Sequence, residues 1–214
     1  MDVIVDNLGF IAEGLLVTVE LTVAAWVGAF AIGVVLAACR VSPVGPLRVA
    51  ANAYVTFFRN APLLVLFFLF FFGLPKIGLL FSPLVTAVMV LSLYTGAFVG
   101  ETVRSGLNTV AGGQAEAARS LGLTFGQALL IVVLPQALRS VVQPLGNLFI
   151  ALTKNTSIAS TIAVVDLTAV ASRLITDFAQ PLPTLFGIAL AYLLLTYPSG
   201  LAVGAFERRL AFKR

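Results

Sequence analysis

Ionisable side chains are scarce in this chain, so the few present define what chemistry is open to it. The 214 residues hold 13 Lys and Arg, 9 Asp and Glu, no His and one Cys. Without His, imidazole acid–base catalysis and His-based metal sites are excluded. A lone Cys39 rules out an internal disulfide and a multi-thiolate zinc site. No convergent acid pair is evident, so no catalytic constellation and no metal site is expected. The polar residues gather instead in short blocks against apolar runs: Arg59-Asn60-Ala61-Pro62, Glu101 with Arg104, and Lys154-Asn155-Thr156-Ser157. Their chemistry is recognition. Cations and amides donate to a carboxylate, and Glu101 accepts from an ammonium. Ions at hydrocarbon depth cost several kcal/mol unless paired or hydrated, and they tend to line a pathway. A surplus of cations suits an anionic ligand, and mixed polarity suits a zwitterion such as an amino acid. The substrate candidates are therefore Arg59, Glu101, Lys154, Asn155, Thr156 and Ser157.

Each block also has a plain structural reading. Glu101 and Arg104 are i,i+3 neighbours and can simply pair. Lys154 can snorkel to the surface while Thr156 or Ser157 caps the next helix. Arg59 and Arg139 can serve a subunit interface or contacts to helix ends.

The elements that must position these residues are membrane helices. The chain is 60% hydrophobic and 10% charged, with mean hydropathy +1.07. Too few charges exist to cover a soluble surface, so apolar side chains must face lipid. Hydropathy predicts five spans in a single domain, 1–214, at about 14–38, 51–74, 77–100, 136–153 and 184–206. Glu20 lies near the outer end of the first span, and Glu101 with Arg104 closes the third. Pro62 and Pro144 break their helices and free backbone groups for a ligand. The segment 158–183 reads as a re-entrant or peripheral helix. Asp2, Asp6 and Glu13 precede the first basic residue, Arg40, a pattern unlike a cleaved secretory signal. With the N-terminus outside, Arg40, Arg48, Arg104, Arg119, Arg208, Arg209, Lys213 and Arg214 fall inside and only Lys76 and Arg173 outside, as the positive-inside rule requires. The net charge of +4 thus calls for lipid headgroups and gives no sign of nucleic acid.

Between the third and fourth spans lies a polar loop, 105–135. Gln114 to Gly122 forms a helix of small residues with Glu116 in its first turn and Gly122 as its C′ residue. Thr124 and Gln127 form a capping box for a second short helix, which Pro135 interrupts.

That loop resembles a family signature. Glu-Ala-Ala, three residues, Gly, nine residues, Ile, one residue and Leu-Pro marks the permease subunits of binding-protein-dependent ABC importers; here it reads Glu116-Ala117-Ala118, Gly122, Val132 and Leu134-Pro135. Three further blocks, Arg59 to Leu64, Glu101 to Gly106 and Lys154 to Ala159, resemble the polar amino acid branch. Arg40-Val41-Ser42-Pro43-Val44 and Leu152 to Thr156 look most like its glutamate-importing members. Two departures bear on selectivity: Asn60-Ala61 replaces the branch's Gly-Thr, and Lys154-Asn155 replaces its Lys-Asp.

The resemblance implies an all-α membrane fold of five spans with a cytoplasmic coupling helix, like an ABC type I importer permease. It implies contact with ATPase subunits through Gln114, Glu116, Ala117, Arg119, Leu121 and Gly122. No G-x-x-x-x-G-K-[ST] loop is present, so no cofactor is expected on this chain. ATP and Mg would sit on the partner ATPase. A second permease subunit, identical or homologous, and an extracytoplasmic binding protein complete the expected partners, in the bacterial plasma membrane. Glutamate is the expected substrate, then glutamine or aspartate. An ion-coupled secondary transporter or channel subunit is the alternative, although no inverted repeat is evident.

Overall fold

The computed structural model describes residues 2–210, and Lys213 and Arg214 lie outside them. After a short turn of helix at Asp2–Asp6, the order is α1 (Leu8–Val41), α2 (Gly45–Asn60), α3 (Leu63–Gly73), α4 (Pro83–Asn108), α5 (Gly112–Ser120), α6 (Leu134–Asn155), α7 (Leu167–Phe178) and α8 (Pro181–Leu210). Among the described residues, four helices are long and apolar enough to cross a membrane. The bent α2–α3 pair adds a fifth crossing when taken together. The fold is all-α.

The helix ends depart from the hydropathy reading for local reasons. α1 has 34 residues, about 51 Å at 1.5 Å each against ~30 Å of hydrocarbon. It is therefore longer than an untilted crossing needs, and Glu20 on it is exposed. The second predicted span, 51–74, is two helices bent by 105°. Pro62 forces Ala61 into extended backbone (φ −77°, ψ 134°), which ends α2. The third span starts later than predicted, at Pro83, because Gly78 (φ 83°) closes a 3-10 turn and Ser82 caps Val85 N–H at 3.3 Å. It also runs on to Asn108, so Glu101 and Arg104 lie within α4 and do not close it. Pro144 and Pro198 are accommodated inside α6 and α8.

Packing centres on α1 against α4. Gly28, Gly33, Gly96 and Gly100 line the seam. A Cβ on Gly33 would collide with Val99, and one on Gly100 would come within 3.0 Å of Leu36. Small residues let the two backbones approach, and in lipid this close packing replaces the hydrophobic drive available in water. Leu21, Ala25, Leu91 and Phe67 are fully buried alongside. The segment beyond α6 is a 3-10 run, Thr156–Ile162, followed by α7, which is too short to span. α7 docks on α1, where the buried Thr18 hydroxyl accepts from Leu167 N–H at 3.1 Å. Asp166 caps α7 through Ala169 N–H at 3.0 Å and accepts from the Tyr192 hydroxyl of α8 at 3.4 Å.

Candidate functional site: a charged hub, a file of cavities and an exposed helix

Glu101 is the meeting point of three arginines from three helices. Arg40, from the end of α1, reaches its Oε2 at 2.6 Å, and Arg104, one turn on in α4, reaches Oε1 at 2.5 Å. Arg59, at the end of α2, lies 3.3 Å from Oε2. Arg40 is fixed further by Asn52, whose Oδ1 accepts from its Nε at 2.7 Å. One carboxylate cannot balance three guanidinia, so the hub keeps a positive surplus. Arg104 Nε is buried and, among the described residues, has no hydrogen-bond partner. Such an arrangement holds helix ends together and still attracts an anion.

The plain i,i+3 reading of Glu101 and Arg104 is therefore right but incomplete. The sequence links these two because they share a helix. It does not reveal Arg40, which stands 61 residues away.

Three cavities lie in file along one face of α4. The first, about 150 Å³, is lined by Tyr94, Thr95 and Phe98 of α4 and by Leu148, Ala151, Leu152 and Asn155 of α6. The second, about 350 Å³, lies between Phe98 and Glu101 and is lined by Arg40, Thr56, Arg59 and Asn60. The third, about 260 Å³, lies between Glu101 and Thr109, against Ser140 and Pro144 of α6. Tyr94, Phe98, Glu101 and Ser105 come at spacings of four, three and four, so they share a helix face. That periodicity is the signal by which Tyr94 and Phe98 could have been found.

The substrate candidates fall in two groups. Arg59 and Glu101 meet directly at the hub. Asn155 lines the first cavity, and Lys154 is exposed at its edge in sequence. Ser157 is half-buried and donates to Lys154 O at 2.7 Å. Thr156 is fully buried, donates to Thr153 O at 2.8 Å and is not among the cavity-lining residues. Its place in the fold is that of a support for this turn. Arg139 is half-buried and engaged within the fold.

The polar loop forms a separate surface. α5 begins at Gly112, two residues earlier than expected, so Glu116 sits mid-helix and outside the first turn. Gln114, Glu116, Ala117 and Arg119 are exposed, Leu121 is 83% exposed, and Ala118 packs inward. Gly122 (φ 86°) closes the helix: its N–H reaches Arg119 O at 3.0 Å and Leu123 N–H reaches Ala118 O at 3.2 Å. This is the paired bonding of a Schellman end. The capping box also forms, with Thr124 N–H donating to Gln127 Oε1 at 2.9 Å and Gln127 N–H to Thr124 Oγ1 at 3.4 Å. Pro135 does not interrupt the helix that this box starts. A π turn at Ala128–Val133, in which Leu134 N–H reaches Leu129 O, carries the chain into α6 with Pro135 in its first turn.

Residues 29–212, which include this exposed helix, match a known family described as binding-protein-dependent transport system inner membrane component. This chain belongs to that family. It is a permease subunit and not an enzyme. The permease is 39% identical over 210 residues to the probable glutamine ABC transporter permease protein of Bacillus subtilis, covering 98% of this chain and 97% of that one. It is 42% identical over 211 residues to the glutamate transport system permease protein of Corynebacterium glutamicum, covering 92% of each. Among solved structures it resembles an amino acid ABC transporter crystallised with histidines (TM-score 0.91, 32% identity, 96% of each chain). It shares its fold with the MetNI methionine ABC transporter (TM-score 0.80, 20% identity, 97% of this chain and 99% of that one). The permease is thus a multi-pass protein of the bacterial plasma membrane, with an ABC type I importer fold and ATPase and partner permease subunits outside this chain. The ion-coupled alternative is set aside by this membership.

Proposed function

We propose that the permease, as a single domain, carries polar amino acids inward by alternating access, with glutamate first and glutamine or aspartate next. The observation that carries this reading is the positive surplus of Arg40, Arg59 and Arg104 around Glu101, beside the cavities on α4. It provides donors for a second carboxylate, while Glu101 and Asn155 offer acceptors for the ammonium. The named relatives for glutamine and glutamate support the same class. Arg59, Glu101, Lys154, Asn155 and Ser157 would meet substrate, and Thr156 would hold their backbone.

Orientation follows from the basic residues. Arg40 and Arg104 meet at one hub, so the ends of α1 and α4 lie on one side. With Arg119, Arg208 and Arg209, that side would be the cytoplasm, leaving the N-terminus outside and the C-terminus inside. Gln114, Glu116, Ala117, Arg119, Leu121 and Gly122 would then seat in the ATPase, where ATP and Mg reside. An extracytoplasmic binding protein would deliver substrate, and lipid headgroups would meet the basic rim. The test is ATP-driven uptake of labelled glutamate into vesicles holding the reconstituted complex, competed with an amino acid panel. Competition by glutamate, aspartate and glutamine is expected. Preferential competition by lysine or arginine would overturn the substrate assignment.

A further inference from the structure

We propose that Phe98 is the partition on the substrate path between the first cavity and the charged second cavity on its cytoplasmic side, with Arg59 as its latch. This rests on the transport reading above and names a residue that reading does not use. Among the described residues, the ring is the only side chain shared by the linings of the first and second cavities. It lies against Tyr94 on one side, with centroids 5.1 Å apart, and the Arg59 guanidinium covers it at 5.5 Å from the centroid. Arg59 is itself tied to Glu101 at 3.3 Å. The latch is thus anchored to the hub that joins α1, α2 and α4.

The chemistry makes the partition responsive to cargo. A guanidinium over an aromatic face is held by a modest cation–π attraction, and a carboxylate competes for the same cation with two hydrogen bonds. An amino acid in the first cavity that draws Arg59 away uncovers the ring. Rotation of Phe98 between its staggered side-chain positions then joins the two cavities. The path continues past Glu101 to the third cavity, whose lining is more hydroxyl-rich: Thr102, Ser105, Thr109 and Ser140. An apolar plate between a chamber whose polar groups are Tyr94, Thr95 and Asn155 and a charged one beyond it blocks a charged solute when closed, and it adds no fixed charge to trap the solute when open.

The experiment uses the complete complex in vesicles. Glutamate is loaded, ATP is withheld, and passive release is measured. Phe98→Ala is expected to raise release at least tenfold over wild type, and Phe98→Tyr to restore retention. Equal retention by Phe98→Ala and wild type overturns the proposal. Because the Ala variant could fail to assemble, a second measurement places Asn155→Cys in a Cys39→Ala background. A charged, membrane-impermeant thiol reagent is then added on the cytoplasmic side. Phe98→Leu is expected to speed modification of that cysteine at least tenfold, and unchanged rates overturn the proposal. The labelling needs no transported substrate. A wild-type complex without amino acid uptake would therefore sink the transport reading alone, while the labelling rates still judge Phe98.

Discussion

The hub on α4 and the exposed helix α5 solve opposite problems. At Glu101, side chains from α1, α2 and α4 converge and pair within 2.5–3.3 Å, with a cationic surplus left over. On α5, Gln114, Glu116, Ala117 and Arg119 point out of the fold and Leu121 is 83% exposed. The first region is defined by contacts inside the chain, whereas the second presents side chains outward. Polar residues buried in a membrane bundle must find partners at home. Small residues with one large apolar side chain on a rigid, capped helix are free to meet a partner cleft. On the proposed function, the chain separates what it recognises from what moves it.

The largest effect that would break this comparison is at the exposed helix. Gly122→Asp places a side chain at φ 86°, where L residues lose roughly 1–2 kcal/mol, and it adds a charge beside Leu121. ATP-coupled uptake should be abolished while the protein still inserts. Glu116→Lys should do the same, since it reverses a docking charge without touching the fold. Uptake assays paired with membrane fractionation check both, and normal transport by both variants would remove α5 from the coupling role.

At the hub the expected effect mixes stability with transport. Glu101→Gln leaves three arginines facing one another. The expected stability loss is about 2 kcal/mol, below the range for a fully buried pair because the carboxylate keeps some exposure. Thermal unfolding in detergent and uptake should fall together. A variant that loses transport but keeps its melting temperature would show that Glu101 serves substrate alone.

These two regions were unequally legible in the sequence. Gly122 was readable because only a positive-φ helix end requires it there, and Thr124 with Gln127 because a capping box is local. The pairing of Glu101 with Arg104 was readable for the same reason. From sequence, Arg40 reads as a topology marker and Arg59 as a substrate candidate or an interface cation. Their convergence depends on how α1 and α2 cross α4, which no window of sequence contains. The interruption at Arg59 to Pro62 was visible, but not that it turns the chain by 105°, since apolar residues continue on both sides. Hydropathy likewise ran the third span through Ile77–Phe81, because Gly78 and Ser82 end and cap helices without being polar enough to lower the average.

A smaller effect sharpens the substrate side. Asn155→Asp places an acid in the lining of the first cavity, next in sequence to Lys154. It should raise the KM for glutamate roughly fivefold, the worth of about 1 kcal/mol, with kcat changed less. A lowered KM would contradict the anionic preference.

The smallest effect lies away from both regions, at Asp166. Burial pushes its carboxyl above the ordinary range, against hydrogen bonds from Ala169 and Tyr192. A raised carboxyl favours the protonated fold, so this contribution is fully present below the ordinary carboxyl pKa. It is lost as pH rises through the raised value. Asp166→Asn caps α7 about as well and should flatten the melting temperature across that window. An unchanged pH profile would mean that Asp166 is solvated in the assembled protein.

Where α5 lies, and what touches it, decides the coupling role most directly. A cysteine at the exposed Ser120, in a Cys39→Ala background, can be probed with a membrane-impermeant thiol reagent from either side of oriented vesicles. Labelling from the cytoplasmic face only, suppressed when the ATPase subunits are bound, is the predicted result. Labelling from the outer face, or labelling unaffected by the ATPase, would contradict it.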